Sequence, residues 1–279
     1  VPFEVEMLKA IQTISCPFLD WLFEAVTIFG EQLFLIPIIT LVFWSFDKET
    51  GYWLCWSLVS GNLLCNGIKG IVKAPRPIGV EGIRSLRVET ATGYSFPSGH
   101  SHSIANFMTA AAIRVRRRWF TVLAVVVPLV VGFSRLYLGV HWPKDVLGGL
   151  VIGFLLPLGL WKLFRRFPFD RPMLYLISAA VFLPLLFFVD MADFWKSFGL
   201  SLGFVAGSFI EEYAVGFTVD GPLWRRLLRW AVGFAVLGGL YYVMKTFFPE
   251  NNFFYLLRYF IIAFYAVALW PICFKKLRL

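Results

Sequence analysis

The chain repeatedly runs for about 20 residues with almost no charge, the length an α-helix needs to cross the hydrocarbon of a bilayer. Such runs occupy roughly residues 18–46, 51–73, 98–113, 119–137, 145–164, 173–190, 195–217, 229–248 and 254–274. Hydrocarbon offers no partner to an exposed peptide group, so segments of this kind must be helical. Hydrophobic residues make up 59% of the 279 and charged residues 15%, more apolar surface than one water-soluble core can hide. Pro37, Pro128, Pro157 and Pro184 fall inside the runs, which membrane helices tolerate when neighbours satisfy the freed backbone. The expected fold is all-α: a polytopic integral-membrane helical bundle of about nine transmembrane helices. Residues 1–17 are expected to form an interfacial segment, 18–168 a core and 169–279 a set of C-terminal transmembrane helices.

The formal net charge of +9 would suit a nucleic-acid partner if it were spread over one face. It is not. The cations sit in short clumps between apolar runs, so no nucleic acid is expected and the bilayer is the partner. Lys48, Arg114, Arg116, Arg117, Arg118, Lys162, Arg165, Arg166, Arg171, Arg225, Arg226, Arg229, Lys275, Lys276 and Arg278 fall at alternate ends of nine runs. By the positive-inside rule they mark the cytoplasmic side, with the N-terminus outside and the C-terminus inside. Cys16, Cys55, Cys65 and Cys273 are scattered, with no Cys or His spacing that suits zinc or a disulfide framework. No metal site is expected, and no removable signal peptide is evident at the start.

Three polar segments share the non-cytoplasmic side. One runs from Lys69 to Arg76 and Pro77, one is Pro97-Ser98-Gly99-His100, and one carries Ser134, Arg135, His141 and Asp145. Lys69, Arg76 and Arg135 put three cations near one membrane surface. Ser98 and Gly99 immediately precede a helical run, so their amides can face an anion, as helix N-termini do. Arginine adds a rigid fork that matches phosphate oxygens. The implied ligand is a compact, multiply charged anion such as phosphate. His141 and Asp145 are four apart, so the carboxylate can hold one ring nitrogen and leave the other to attack. His100 is then available as a general acid on the far side of the phosphorus.

These segments resemble the signature of the type 2 phosphatidic acid phosphatase superfamily. Its pattern, K-x6-RP, PSGH and SR-x5-H-x3-D, is met in order at Lys69 and Arg76-Pro77, at Pro97 to His100, and at Ser134-Arg135, His141 and Asp145. The resemblance implies that His141 attacks phosphorus to form a phosphohistidine and that Asp145 supports it. It implies that His100 protonates the departing oxygen and then activates water. Lys69, Arg76, Ser98, Gly99 and Arg135 would hold the phosphate oxygens, and with those cations no metal and no other cofactor is expected. His102 and Lys73 are candidates for a secondary role. Glu24 and Glu31 lie seven apart on one face of the first run, where they can cap a groove.

The implied activity is a membrane-embedded phosphatase that takes a lipid phosphomonoester or diphosphate at a periplasmic, extracellular or lumenal site. The topology expected after residue 170 resembles the glucose-6-phosphatase and sphingosine-1-phosphate phosphatase branch, so a sugar phosphate stays open as substrate. A non-catalytic lipid-binding or transport protein is the third reading, disfavoured by the intact histidine pair.

Overall fold

A computed structural model describes residues 2–167 and 170–277. The expected boundary at 168–169 and the cation Arg278 lie outside the described residues. Those residues form helices and connections, the longest of them between Val72 and Gly99, with no strand among them. The helices are α1 (Pro2–Gln12), α2 (Pro17–Thr27), α3 (Gln32–Ser45), α4 (Lys48–Val72), α5 (Gly99–Val115) and α6 (Arg118–Tyr137). They continue as α7 (Pro143–Arg166), α8 (Arg171–Ala180), α9 (Ala192–Ile210), α10 (Leu223–Phe247), α11 (Asn252–Phe264) and α12 (Trp270–Lys276).

Nine transmembrane helices are not supported. Among the described residues four helical stretches are long and apolar enough to cross a membrane: Arg118–Tyr137, Pro143–Arg166, Leu223–Phe247 and Asn252–Lys276. A fifth is possible if Pro17–Gly30 and Gln32–Ser45, bent by 46° at their junction, act as one span. The other apolar runs form helices that are too short or too polar for a span. Helix α4 is 25 residues long but buries Ser57, Ser60, Asn62 and Lys69 alongside its tryptophans. Helix α5 has only 17 residues, and Ser101, His102, Ser103 and Asn106 are buried on it. Both helices thus bury polar side chains inside the protein.

The chain divides into two compact units. The first comprises Val1–Leu35 and Leu64–Trp161, the second Ile36–Leu63 and Lys162–Leu279. In the first, α5, α6 and α7 are successive antiparallel helices. Ser98 caps α5, its hydroxyl accepting from the Ser101 amide at 3.5 Å, while Arg116 in the left-handed region ends the helix. Helix α7 approaches α5 through Gly149 and Gly153, four residues apart. A methyl at Gly149 would lie 2.5 Å from the Ser98 carbonyl oxygen, and one at Gly153 2.6 Å from Ala105 Cβ. Only hydrogen fits there, which is how small residues bring membrane helices together.

The loop between α4 and α5 lies against the N-terminal helices and the α6–α7 turn. Gln12 donates from Nε2 to the Arg84 and Tyr137 carbonyls at 2.7 and 3.0 Å, and accepts from the Arg84 amide at 3.0 Å. Arg84 grips Asp20 with both terminal nitrogens, at 2.7 and 2.6 Å. The Leu86 amide donates to the Leu138 carbonyl at 2.9 Å, and Trp142 Nε1 to the Pro75 carbonyl at 3.0 Å. Leu8, Ile83 and Trp142 close an apolar cluster beneath these bonds.

In the second unit α9 and α11 pack closely. A methyl at Gly199 or Gly203 would lie 2.2 Å from the carbonyl oxygen of Leu256 or Phe260. Fully buried Glu211 accepts from Lys48 Nζ, Tyr52 Oη and the Phe217 amide at 2.7, 2.7 and 2.9 Å, so its charge is matched.

Candidate active site

The three polar segments meet within the first unit. His141 stands on the turn between α6 and α7 and is 1% exposed. Asp145 lies in the first turn of α7, where the helix dipole favours a carboxylate. Its Oδ2 is 3.4 Å from His141 Nδ1 and accepts from the Trp142 amide at 2.8 Å and from the Ser95 hydroxyl in a short hydrogen bond. On the other edge of the ring, Arg76 Nη1 is 3.0 Å from His141 Nε2. A guanidinium can only donate, so Nε2 accepts and carries the lone pair. The ring hydrogen therefore sits on Nδ1, facing Asp145. Asp145 thus orients the imidazole and leaves the lone pair on Nε2.

Arg76 is held by the backbone. Its guanidinium donates to the carbonyls of Val140, Gly93, Thr92 and Tyr94 at 2.9, 3.0, 2.6 and 3.2 Å. Lys69, near the end of α4, donates to the Tyr94 carbonyl at 2.6 Å. Arg135, in the last turn of α6, is fully buried. Its Nη1 donates to Thr27 Oγ1 at 2.8 Å, while Nε and Nη2 have no hydrogen-bond partner. Leaving two buried guanidinium nitrogens unmatched is costly unless an anion completes them.

Burial, above all, and then Arg76, Arg135, Lys69 and His100 hold the His141 pKa well below the usual 6.5. Burial and these neighbouring cations favour the neutral ring.

His100 occupies the first turn of α5. Its Nε2 is buried without a hydrogen-bond partner and lies 3.9 Å from Glu31 Oε1. The Ser98 amide donates to the Asp145 carbonyl at 2.9 Å, so Ser98 ties the start of α5 to the start of α7. The amides of Gly99 and His100 then belong to the open first turn, which has no intrahelical acceptor. A methyl at Gly99 would meet nothing within 4 Å, so there is open space beside that turn. His102 is fully buried on α5, both ring nitrogens without a hydrogen-bond partner. Lys73 is exposed past the end of α4 with φ 51°. Among the described residues no cluster of His, Cys, Asp and Glu could hold a metal ion.

Comparison with known proteins now has a geometry to meet. The family model described as PAP2 superfamily matches residues 50–169, and that described as PAP2 superfamily phosphatase, transmembrane extension, matches 195–279. Phosphatidylglycerophosphatase B of Bacillus subtilis is 32% identical over 161 residues, covering 53% of this chain and 76% of that protein. The chain belongs to the PAP2 superfamily.

The PAP2 assignment agrees with the resemblance carried by the three motifs, and it places the chain among phosphatases. An undecaprenyl-diphosphatase of Sulfolobus acidocaldarius is 28% identical over 154 residues, covering 55% of this chain and 74% of that protein. The crystal structure of Aquifex aeolicus LpxE aligns with a TM-score of 0.51 at 24% identity, over 56% of this chain and 93% of that one, a likeness of fold. These relatives span about half of the chain.

Several residues at the PAP2 site are not motif positions. Thr27 on α2 holds Arg135, Ser95 holds Asp145, and Glu31 and Arg87 form a 2.6 Å ion pair beside His100. Ser95 lies inside the polar stretch before α5 and could have been found from its neighbours. Thr27 sits 108 residues from its partner in an apolar helix, and nothing local marks it.

Proposed function

We propose that this protein is a membrane-embedded lipid phosphate phosphatase that works through a phosphohistidine on His141. The observation that carries this is the pairing of His141 Nε2, its lone pair fixed by Arg76 at 3.0 Å, with a buried Arg135 that has two unmatched nitrogens. Nucleophile and unfilled anion clamp occur together. Lys69, Arg76, Arg135 and the Gly99 turn hold the oxygens of the transferring phosphoryl group, and the Ser98 hydroxyl secures that turn. His141 Nε2 bonds to phosphorus while the P–O bond to the lipid breaks. His100 gives the departing oxygen its proton, then takes one from the water that cleaves the N–P bond. Phosphoryl transfer asks mainly for positioning and charge stabilisation. Three fixed cations supply that charge, so the reaction needs no added metal.

A lipid is the favoured substrate because the site stands at the ends of the apolar helices α6 and α7, where a tail can enter sideways. The two sequence relatives named above are an undecaprenyl-diphosphatase and a phosphatidylglycerophosphatase by name. The sidedness reading rests on three helices. The site lies at the start of α5, the end of α6 and the start of α7. Their opposite ends carry Arg114, Arg116, Arg117, Arg118, Arg165 and Arg166. The positive-inside rule then puts the site on the non-cytoplasmic side. We assign the chemistry to the core at 18–168 and treat 169–279 as a membrane-embedded extension.

The test is phosphate release in detergent with a chelator present, on short-chain undecaprenyl-type diphosphate, phosphatidylglycerol phosphate, phosphatidic acid and glucose 6-phosphate. Release from at least one lipid, abolished in His141→Ala, is the expected result. Release from the sugar alone would replace the lipid reading, and no release from any would end it.

A further inference from the structure

Glu31 sits where the first helical pair bends. Its backbone is extended at φ −84° and ψ 143°, between Pro17–Gly30 and Gln32–Ser45, which diverge by 46°. The preceding residue packs directly on the histidine of α5: a methyl at Gly30 would lie 2.9 Å from both Cβ and the carbonyl oxygen of His100. Next to that contact the Glu31 carboxylate has Oε1 3.9 Å from His100 Nε2. From the other side Arg87, itself at φ 53°, pairs with the same oxygen at 2.6 Å. Both members of this ion pair are largely shielded from water.

The chemistry proposed for His100 requires it to be an imidazolium when the ester bond breaks. Burial above all, then Arg135 and Arg76, oppose a positive charge there and hold the ring's pKa down to about 4, while Glu31 favours the charge. We infer that Glu31 is a positioning residue for the general acid, its carboxylate steadying the His100 imidazolium that hands its proton to the departing oxygen. This rests on the phosphohistidine reading. In the step, the His141 lone pair forms the N–P bond and the P–O bond breaks with its electron pair staying on oxygen. A proton of the His100 imidazolium moves to that oxygen, the neutral imidazole remains beside Glu31, and the neutral alcohol leaves. The role of Arg87 is to hold the carboxylate in place.

A poor leaving group needs that proton and a good one does not. The experiment is therefore a leaving-group series in detergent: a short-chain alkyl phosphate, phenyl phosphate and p-nitrophenyl phosphate, with kcat/KM measured for wild type and Glu31→Gln. We expect kcat/KM to fall roughly 10- to 100-fold for the alkyl ester, within the usual yield of general acid catalysis, and less than about threefold for p-nitrophenyl phosphate. A structural disturbance would lower all three by one factor. An unchanged slope across the series, or a folded variant dead on every ester, overturns the inference. If Glu31→Gln does not stay monodisperse, Glu31→Asp decides: its withdrawn carboxylate should steepen the slope partway, and a wild-type slope overturns the inference. Wild-type turnover and its loss in His141→Ala judge the phosphatase reading separately.

Discussion

Arg76 and His141 are joined at 3.0 Å through a contact that only one tautomer of the ring can accept. The guanidinium thereby fixes the tautomer of the resting ring, and its N–H must pass from Nε2 to a phosphate oxygen before that lone pair can attack. Lysine has the charge but neither the fork nor the reach to four carbonyls. Arg76→Lys should therefore lower kcat/KM for a lipid phosphate by about a hundredfold or more, in line with losing an oriented donor. Steady-state phosphate release checks this; retention of more than half the activity would mean that the charge alone suffices.

Thr27 and Arg135 give a subtler test. Thr27→Val is nearly isosteric and removes only the acceptor that Arg135 Nη1 uses at 2.8 Å. Hydrogen bonds to charged groups contribute about 1.5–3 kcal/mol, so inhibition by a phosphate mimic such as vanadate should weaken by roughly ten- to a hundredfold. Equal inhibition of both proteins would show that Arg135 holds its position without Thr27.

The buried His141 has a pH signature. Burial and the cations around it keep its folded pKa well below 6.5. An unfolded His141 protonates as pH falls past about 6.5, while the folded one does not. The neutral ring therefore lends stability that is fully present above about 6.5 and is lost as pH falls toward the folded pKa. Thermal melts of wild type and His141→Asn from pH 8 to 5 should show wild type losing ground to the variant below about 6.5. A constant difference across that range would contradict a neutral, buried ring.

Gly149 couples helix packing to the site. A methyl there would stand 2.5 Å from the Ser98 carbonyl oxygen, and backbone cannot move aside as a side chain can. Gly149→Ala should cost about 1–3 kcal/mol, as overpacking does. It should also reduce turnover, because the Ser98–Asp145 backbone bond at 2.9 Å ties that contact to the nucleophile's support. A lowered melting temperature with turnover unchanged would separate the packing from the chemistry.

Much of the site was legible because its chemistry needs rare residues at fixed spacings. Lys69, Arg76, His100, Arg135, His141 and Asp145 stand out in an apolar chain, and folding brings them together. What supports them was legible only in part. Glu31 stands out as a carboxylate in an apolar run but does not announce His100 or Arg87 as its partners, and nothing marks Thr27 on α2 as the partner of Arg135. The fold was legible in class, helical and apolar, but not in its count of spans. Buried Asn62 on α4 and Asn106 on α5 lie on helices too polar or too short to rank with the four apolar spans, which a count of apolar runs does not register.

The most direct test of the account is to trap the covalent intermediate. A radiolabelled lipid phosphate, incubated with the protein and quenched in alkali, should leave acid-labile, alkali-stable label on His141. Label should build up in His100→Ala, which lacks the base for the second step, provided that an activated ester replaces the lipid. His141→Ala should take up none. Label retained in His141→Ala, or turnover of wild type with no labelled protein under any quench, would contradict a phosphohistidine at this position.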